Sequence, residues 1–177
     1  MKRHKGKFVI EGHIHGPETR QLPSPGDIVS EFFEFVYDYH SDHKNNLFNE
    51  ITQKDLRFRK SKVIFVIDKD GKEVGRTHFH LTPKTVNFLK KGFTRFTVES
   101  REAMKKSIEE EIYILTIGEI QRHQRAIGKP LNDNSKYIIN LHATKYYFEK
   151  ILGLHMHFNP MPGYKFNNEK LEFEKIK

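Results

Sequence analysis

The order of apolar runs predicts a single mixed α/β (α+β) domain over residues 1–177, with a mixed, mostly antiparallel central sheet flanked by helices. Three observations carry that expectation. Lys62-Val-Ile-Phe-Val-Ile67 is a run of strand-forming residues that meets Asp68-Lys-Asp-Gly71 and continues as Lys72 to Leu81. Glycine supplies the positive φ a tight hairpin needs, so this is a β-hairpin. Ile28, Phe32, Phe35/Val36 and Tyr39 recur at helical spacing, which gives a helix over 25–40. The apolar stretch 112–120 then reads as a strand that runs through the basic loop 121–125 into a helix from about Ala126 to Asn140.

The remaining elements follow in chain order. Phe8-Val-Ile-Glu-Gly12 has strand character and extends on this reading through His13-Ile-His15, before a loop rich in proline and glycine at 16–26. Ser24, Pro25 and Asp27 supply a cap, a first-turn proline and an acidic third position for the helix that follows. A short helical stretch is expected at 49–56. Residues 84–98 are ambiguous, with an apolar patch at Val86, Phe88 and Leu89 and a candidate strand at 93–98. Ser100 is expected to cap a helix carrying Met104, Ile108 and Ile112 in register. Residues 145–151 read as a strand continued or followed by 153–158, residues 159–163 as a loop, and Tyr164-Lys-Phe166 and Leu171 to Ile176 as closing strands.

Composition excludes whole classes of chemistry. The 177 residues contain no cysteine, so disulfides, thiolate metal sites and cysteine nucleophiles are ruled out. With 36% hydrophobic residues and 15 phenylalanines the chain can build a core despite 31% charged residues. No apolar run approaches the ~20 residues that span a bilayer. The basic start is followed only by Phe8-Val-Ile10, too short for a signal-peptide core, which leads to the expectation of a cytoplasmic protein with no membrane partner. A formal charge of +8 attracts polyanions, nucleic acid among them, but the basic residues are spread along the chain rather than gathered in one arm.

A strand feeding the small-residue turn Ala126-Ile127-Gly128 at a helix start would leave backbone N–H groups free to hold an anion, with Gln121-Arg-His-Gln-Arg125 adding donors. Read with the hairpin and its Gly71-Lys-Glu-Val-Gly75 turn, the stretch His123-Gln-Arg-Ala-Ile-Gly-Lys-Pro-Leu131 resembles the acetyl-CoA loop of the GNAT family of N-acetyltransferases. Residues 138–150 resemble the end of the following helix and its next strand, and Gly163-Tyr-Lys-Phe166 resembles the opening of the last hairpin, so the likeness covers roughly residues 60–177. It implies an acyl-CoA N-acyltransferase-like fold, acetyl-CoA as cofactor and an amine as acceptor. It also implies cofactor contacts at Ile117, Gly118, Ile120, His123, Gln124, Arg125, Ala126, Ile127, Gly128 and Lys129. A general base must take the amine proton, and Glu119 is the first candidate, with His78 and His80 next because a neutral imidazole titrates in a suitable range. The chain departs from the family pattern where His123 replaces Arg or Gln, Ala126 replaces the first glycine, and Asn159 stands at the position of the family's acidic tyrosine.

Two other readings stay open. His13-Ile-His15, His78-Phe-His80 and His155-Met-His157 each place two imidazoles on one face of a strand, where they could share a divalent metal. Such a pair, with Tyr147 and Lys150 three residues on, resembles the rolling-circle and relaxase nucleases, in which a metal polarises the scissile phosphate of single-stranded DNA and the tyrosine attacks it. A His-x-His pair without a third ligand and an outer partner is not a metal site. The third reading is a CoA-binding module without catalysis.

Overall fold

The computed structural model describes residues 12–16, 21–42, 56, 62–91 and 97–177. Among these residues, four strands form one mixed sheet in the order β1 (Gly12–His15), β2 (Lys62–Ile67), β3 (Glu73–His80) and β4 (His155–Pro160). β1 runs parallel to β2, while β2–β3 and β3–β4 are antiparallel. Helices α1 (Pro25–Asp42), α2 (Pro83–Lys90), α3 (Val98–Ile127) and α4 (Asp133–Tyr146) follow this framework, and a π-helical turn, Tyr147–Leu152, leads into β4. A second, two-stranded sheet joins β5 (Tyr164–Asn167) to β6 (Glu172–Lys175). No helix among the described residues is long and apolar enough to cross a membrane.

One face of the main sheet is the core. Ile64 and Val66 of β2, Phe79 of β3 and Met156 of β4 pack with Phe32 and Val36 of α1, Ile108 of α3 and Phe148 of the π turn. The alternation of strand side chains explains the selection, since residues two apart share a face. α1 begins as the sequence indicates. Asp27 N–H donates to Ser24 Oγ at 3.2 Å and Ser24 N–H donates to Asp27 Oδ2 at 2.7 Å, a reciprocal cap. Its stripe of Ile28, Phe32, Phe35 and Val36 is buried, while the side chain of Tyr39 lies outside the described residues. Also outside them are 8–11 of the first expected strand, nearly all of the expected 49–56 helix, and 92–96 of the ambiguous segment.

Residues 112–120 are not a strand. They lie in the middle of α3, a single helix of 30 residues. Its cap is Thr97 rather than Ser100: Ser100 N–H donates to Thr97 Oγ1 at 3.3 Å, and Thr97 N–H donates to Ser100 Oγ at 2.7 Å. The buried positions Met104, Ile108, Ile112 and Thr116 keep a four-residue period, and Tyr113 and Ile114 point outward at 64% and 63% exposure. The β-branched run therefore continues a helix begun elsewhere, and packing overrides local propensity. Thr116 Oγ1 donates to the Ile112 carbonyl at 2.8 Å and accepts from Asn140 Nδ2 at 2.9 Å, so the two helices are tied by a half-buried hydrogen bond. Gly128, at φ +67°, ends α3 with its N–H on the Gln124 carbonyl at 2.9 Å.

The helix expected from Ala126 begins instead at Asp133, capped by Asn132. The strand expected at 145–151 is the end of α4 and the π turn, whose Tyr147, Phe148 and Leu152 enter the core.

A candidate metal centre at the sheet edge

β1 carries His13 and His15 on the side facing α1. They pair in register with Ile64 and Val66, which are buried on that side, while Ile14 between them is 66% exposed on the other. The parallel register sets both imidazoles over the first turn of α1. His13 Nε2 and His15 Nε2 are 2.8 Å apart, and Asp27 Oδ1 lies 3.5 Å from His13 Nε2. One donor atom from each of the three residues falls within 4.8 Å of the others. That 2.8 Å contact is a hydrogen bond between the two rings, and a shared ion would replace it and spread the nitrogens to the ~3.4 Å edge of a tetrahedral site with bonds of about 2.1 Å. The second carboxylate oxygen of Asp27 is already held by the Ser24 N–H, which fixes the direction of the first. Two imidazoles and one carboxylate form a ligand set that leaves coordination positions open to a substrate or water.

A cleft of about 220 Å³ adjoins this cluster, lined by Gly12, Asp27, Ser30, Glu34, Lys62 and Phe79 together with His13. Asp27, Ser30 and Glu34 share one face of α1 by their three- and four-residue spacing. Lys62 Nζ donates to Glu34 Oε2 at 2.8 Å and lies 3.3 Å from Oε2 of the buried Glu31. The cleft therefore holds an ammonium group between carboxylates, beside the histidine cluster.

The residues singled out from the sequence fall in three places. Ile117, Gly118, Ile120, His123, Gln124, Arg125, Ala126 and Ile127 lie in the last turns of α3, and Gly128 and Lys129 follow it. The expected cradle of free N–H groups is not formed, because this is a helix C-terminus, where carbonyls are exposed and the helix dipole is negative. Glu119 sits on the outer side of α3, paired with Arg122 and 3.9 Å from His123 Nδ1. Tyr147 is buried, and burial, with the charge of Glu111, pushes its phenol up to about 12. His78 and His80 lie on the sheet face turned away from the core, opposite His157 and His155 of β4. Asp27 is legible in the sequence only as the acidic third position after the Ser24 cap, and nothing local marks it as a neighbour of His13. A scan of family models, a search of curated proteins and a search of solved structures each return no match for this chain.

Proposed function

We propose that the protein is a metal-dependent nuclease that holds a divalent cation on His13, His15 and Asp27. The observation that supports it above all is the convergence of three donor atoms from two elements, one of them fixed by a backbone N–H. A cation in that position supplies Lewis-acid polarisation of a phosphoryl oxygen and a water of lowered proton affinity. Lys62 in the adjoining cleft is paired with Glu34 and Glu31, so it would meet a phosphate ester only by exchanging one of those carboxylates for it. The net charge of +8 favours encounter with nucleic acid. Water is the nucleophile in this reading, because the Tyr147 phenol is buried and protonated at neutral pH.

The test is cleavage of a fluorescent single-stranded DNA oligonucleotide with manganese, run beside a manganese-binding titration. Asp27→Asn retains an acceptor for the Ser24 N–H but removes the ligand charge, so cleavage and metal affinity should fall together. Manganese binding without cleavage of DNA or RNA would sink the nuclease reading. Acetyl transfer from acetyl-CoA to an amine, on an acyl-CoA N-acyltransferase-like fold, keeps the β2–β3 hairpin as its support and lacks the anion cradle at 124–129. Calorimetry with CoA in the same series decides it, since CoA binding would revive it.

A further inference from the structure

The other two histidine triplets meet across β3 and β4. Antiparallel pairing sets His78 opposite His157 and His80 opposite His155, while Phe79 and Met156 between them turn into the core. All four imidazoles therefore share the face that the candidate centre at β1 does not use. His80 Nε2 and His155 Nδ1 are 3.0 Å apart. The His155 and His157 ring centroids are 4.5 Å apart, and the His157 ring stacks on His80 at 6.2 Å with 23° between planes. His80 Nε2 is the nitrogen that meets the second strand, while its buried Nδ1 has no hydrogen-bond partner among the described residues and would need one, such as a water, to hold the ring as a ligand. Arg76 shares the face, but its guanidinium is bound to Glu73 and stands 5.2 Å from the centroid of the Phe65 ring.

We propose that this array is a second transition-metal site, with His80 Nε2 and His155 Nδ1 as ligands and His157 completing the set by a rotation of its side chain. The contact of 3.0 Å is a hydrogen bond between the two rings, and a shared ion would replace it and open the pair to the ~3.4 Å edge of a tetrahedral site with bonds of about 2.1 Å. Neutral imidazoles on an exposed face select a borderline ion such as zinc, nickel or copper over magnesium or calcium. The ligands come from strands joined only through tertiary structure, so the ion would pin β4 to β3 and stabilise the folded chain by mass action.

Zinc titration of the full chain by calorimetry, with cobalt absorption as a second readout, tests the site separately from the one at β1. The expected result is two equivalents. His80→Gln/His155→Gln should remove one of them and abolish part of the zinc-induced rise in Tm, and His13→Gln/His15→Gln should remove the other. One equivalent that survives His80→Gln/His155→Gln overturns the second site and leaves the proposed function standing. One equivalent lost only in His80→Gln/His155→Gln upholds this site and overturns the other. Binding confined to millimolar zinc overturns it as well. Far-UV circular dichroism of each variant shows that a loss is not unfolding, and His157→Gln, which spares the central pair, should weaken the second equivalent without removing it.

Discussion

Replacing Gly12 with alanine tests the centre at the sheet edge without touching a ligand. A Cβ at Gly12 would come 2.5 Å from the Val63 carbonyl oxygen and 2.7 Å from Cε2 of Phe65. Both obstacles belong to β2, and a backbone carbonyl in a strand ladder cannot rotate away. To bring that contact to an ordinary 3.4 Å, β1 must retreat by about 0.9 Å. Metal–ligand distances tolerate only about 0.2 Å. His13 moves with its neighbour while Asp27 stays on α1, so the three donors separate. Zinc or manganese affinity at this site should fall by about 10–100-fold, the size seen when a ligand loses its support. The crowding should also lower stability by about 1–3 kcal/mol. Gly16→Ala is the control, because a Cβ there meets nothing within 4 Å among the described residues. Calorimetric titration of both variants and the wild type, with urea unfolding of the apo-proteins, gives both readouts. A Gly12→Ala protein with wild-type affinity would refute the argument that β1–β2 contact aims the histidines.

Three further outcomes follow from the packing and the charges. Gly75→Ala would place a Cβ 2.6 Å from the Phe173 ring and should cost about 1–2 kcal/mol in urea unfolding; in a Phe173→Ala background the same change should stabilise by about 0.5–1 kcal/mol, and equal effects in both would disprove the contact. His78 and His80 are held below the ordinary 6.5 by burial first, then by Arg76 and His157 for His78 and by His155 and His157 for His80. The unfolded chain therefore binds more protons than the folded one below about pH 6.5. Stability should be full above that pH and drain away as the pH falls toward the depressed folded values, and His78→Gln/His80→Gln should flatten the Tm-against-pH curve. Tyr147→Phe should keep metal-dependent cleavage at the wild-type rate, whereas a loss of more than a hundredfold with normal folding would restore tyrosine as the nucleophile.

The parts of the fold governed by neighbouring residues were readable in advance. Asp68 Oδ1 accepts the N–H groups of Asp70 and Lys72 at 2.9 Å each, and Gly71 takes φ +76°, so the hairpin turn is encoded within its own residues. α1 is encoded by its cap and its apolar period. α3 misleads because Ile112-Tyr-Ile-Leu-Thr-Ile117 has strand composition, while the deciding signal is the period carried forward from Met104 and the stop at Gly128 before Pro130. Tyr146-Tyr147-Phe148 misleads for the same reason. The histidine pairs were visible as triplets, but the partner of each was not. Asp27 reaches His13 through the crossing of α1 over β1, and His155 reaches His80 through a register set by strands far apart in sequence. Neither leaves a local pattern.

Both proposed sites lie on strands that pair with partners distant in sequence. β2 and β3 meet across a tight turn, whereas β1 pairs Gly12 with Val63 and β4 pairs His155 with His80. Contacts so distant in sequence carry a loop-closure cost and tend to form after local ones. The hairpin should be the early structure and the histidine-bearing outer strands late additions. Ligand sets completed after the folding barrier leave the folding rate unchanged and slow unfolding. A bound ion would then act as a latch: the apo-chain reaches its native state at its own pace, and metal decides how long it stays there.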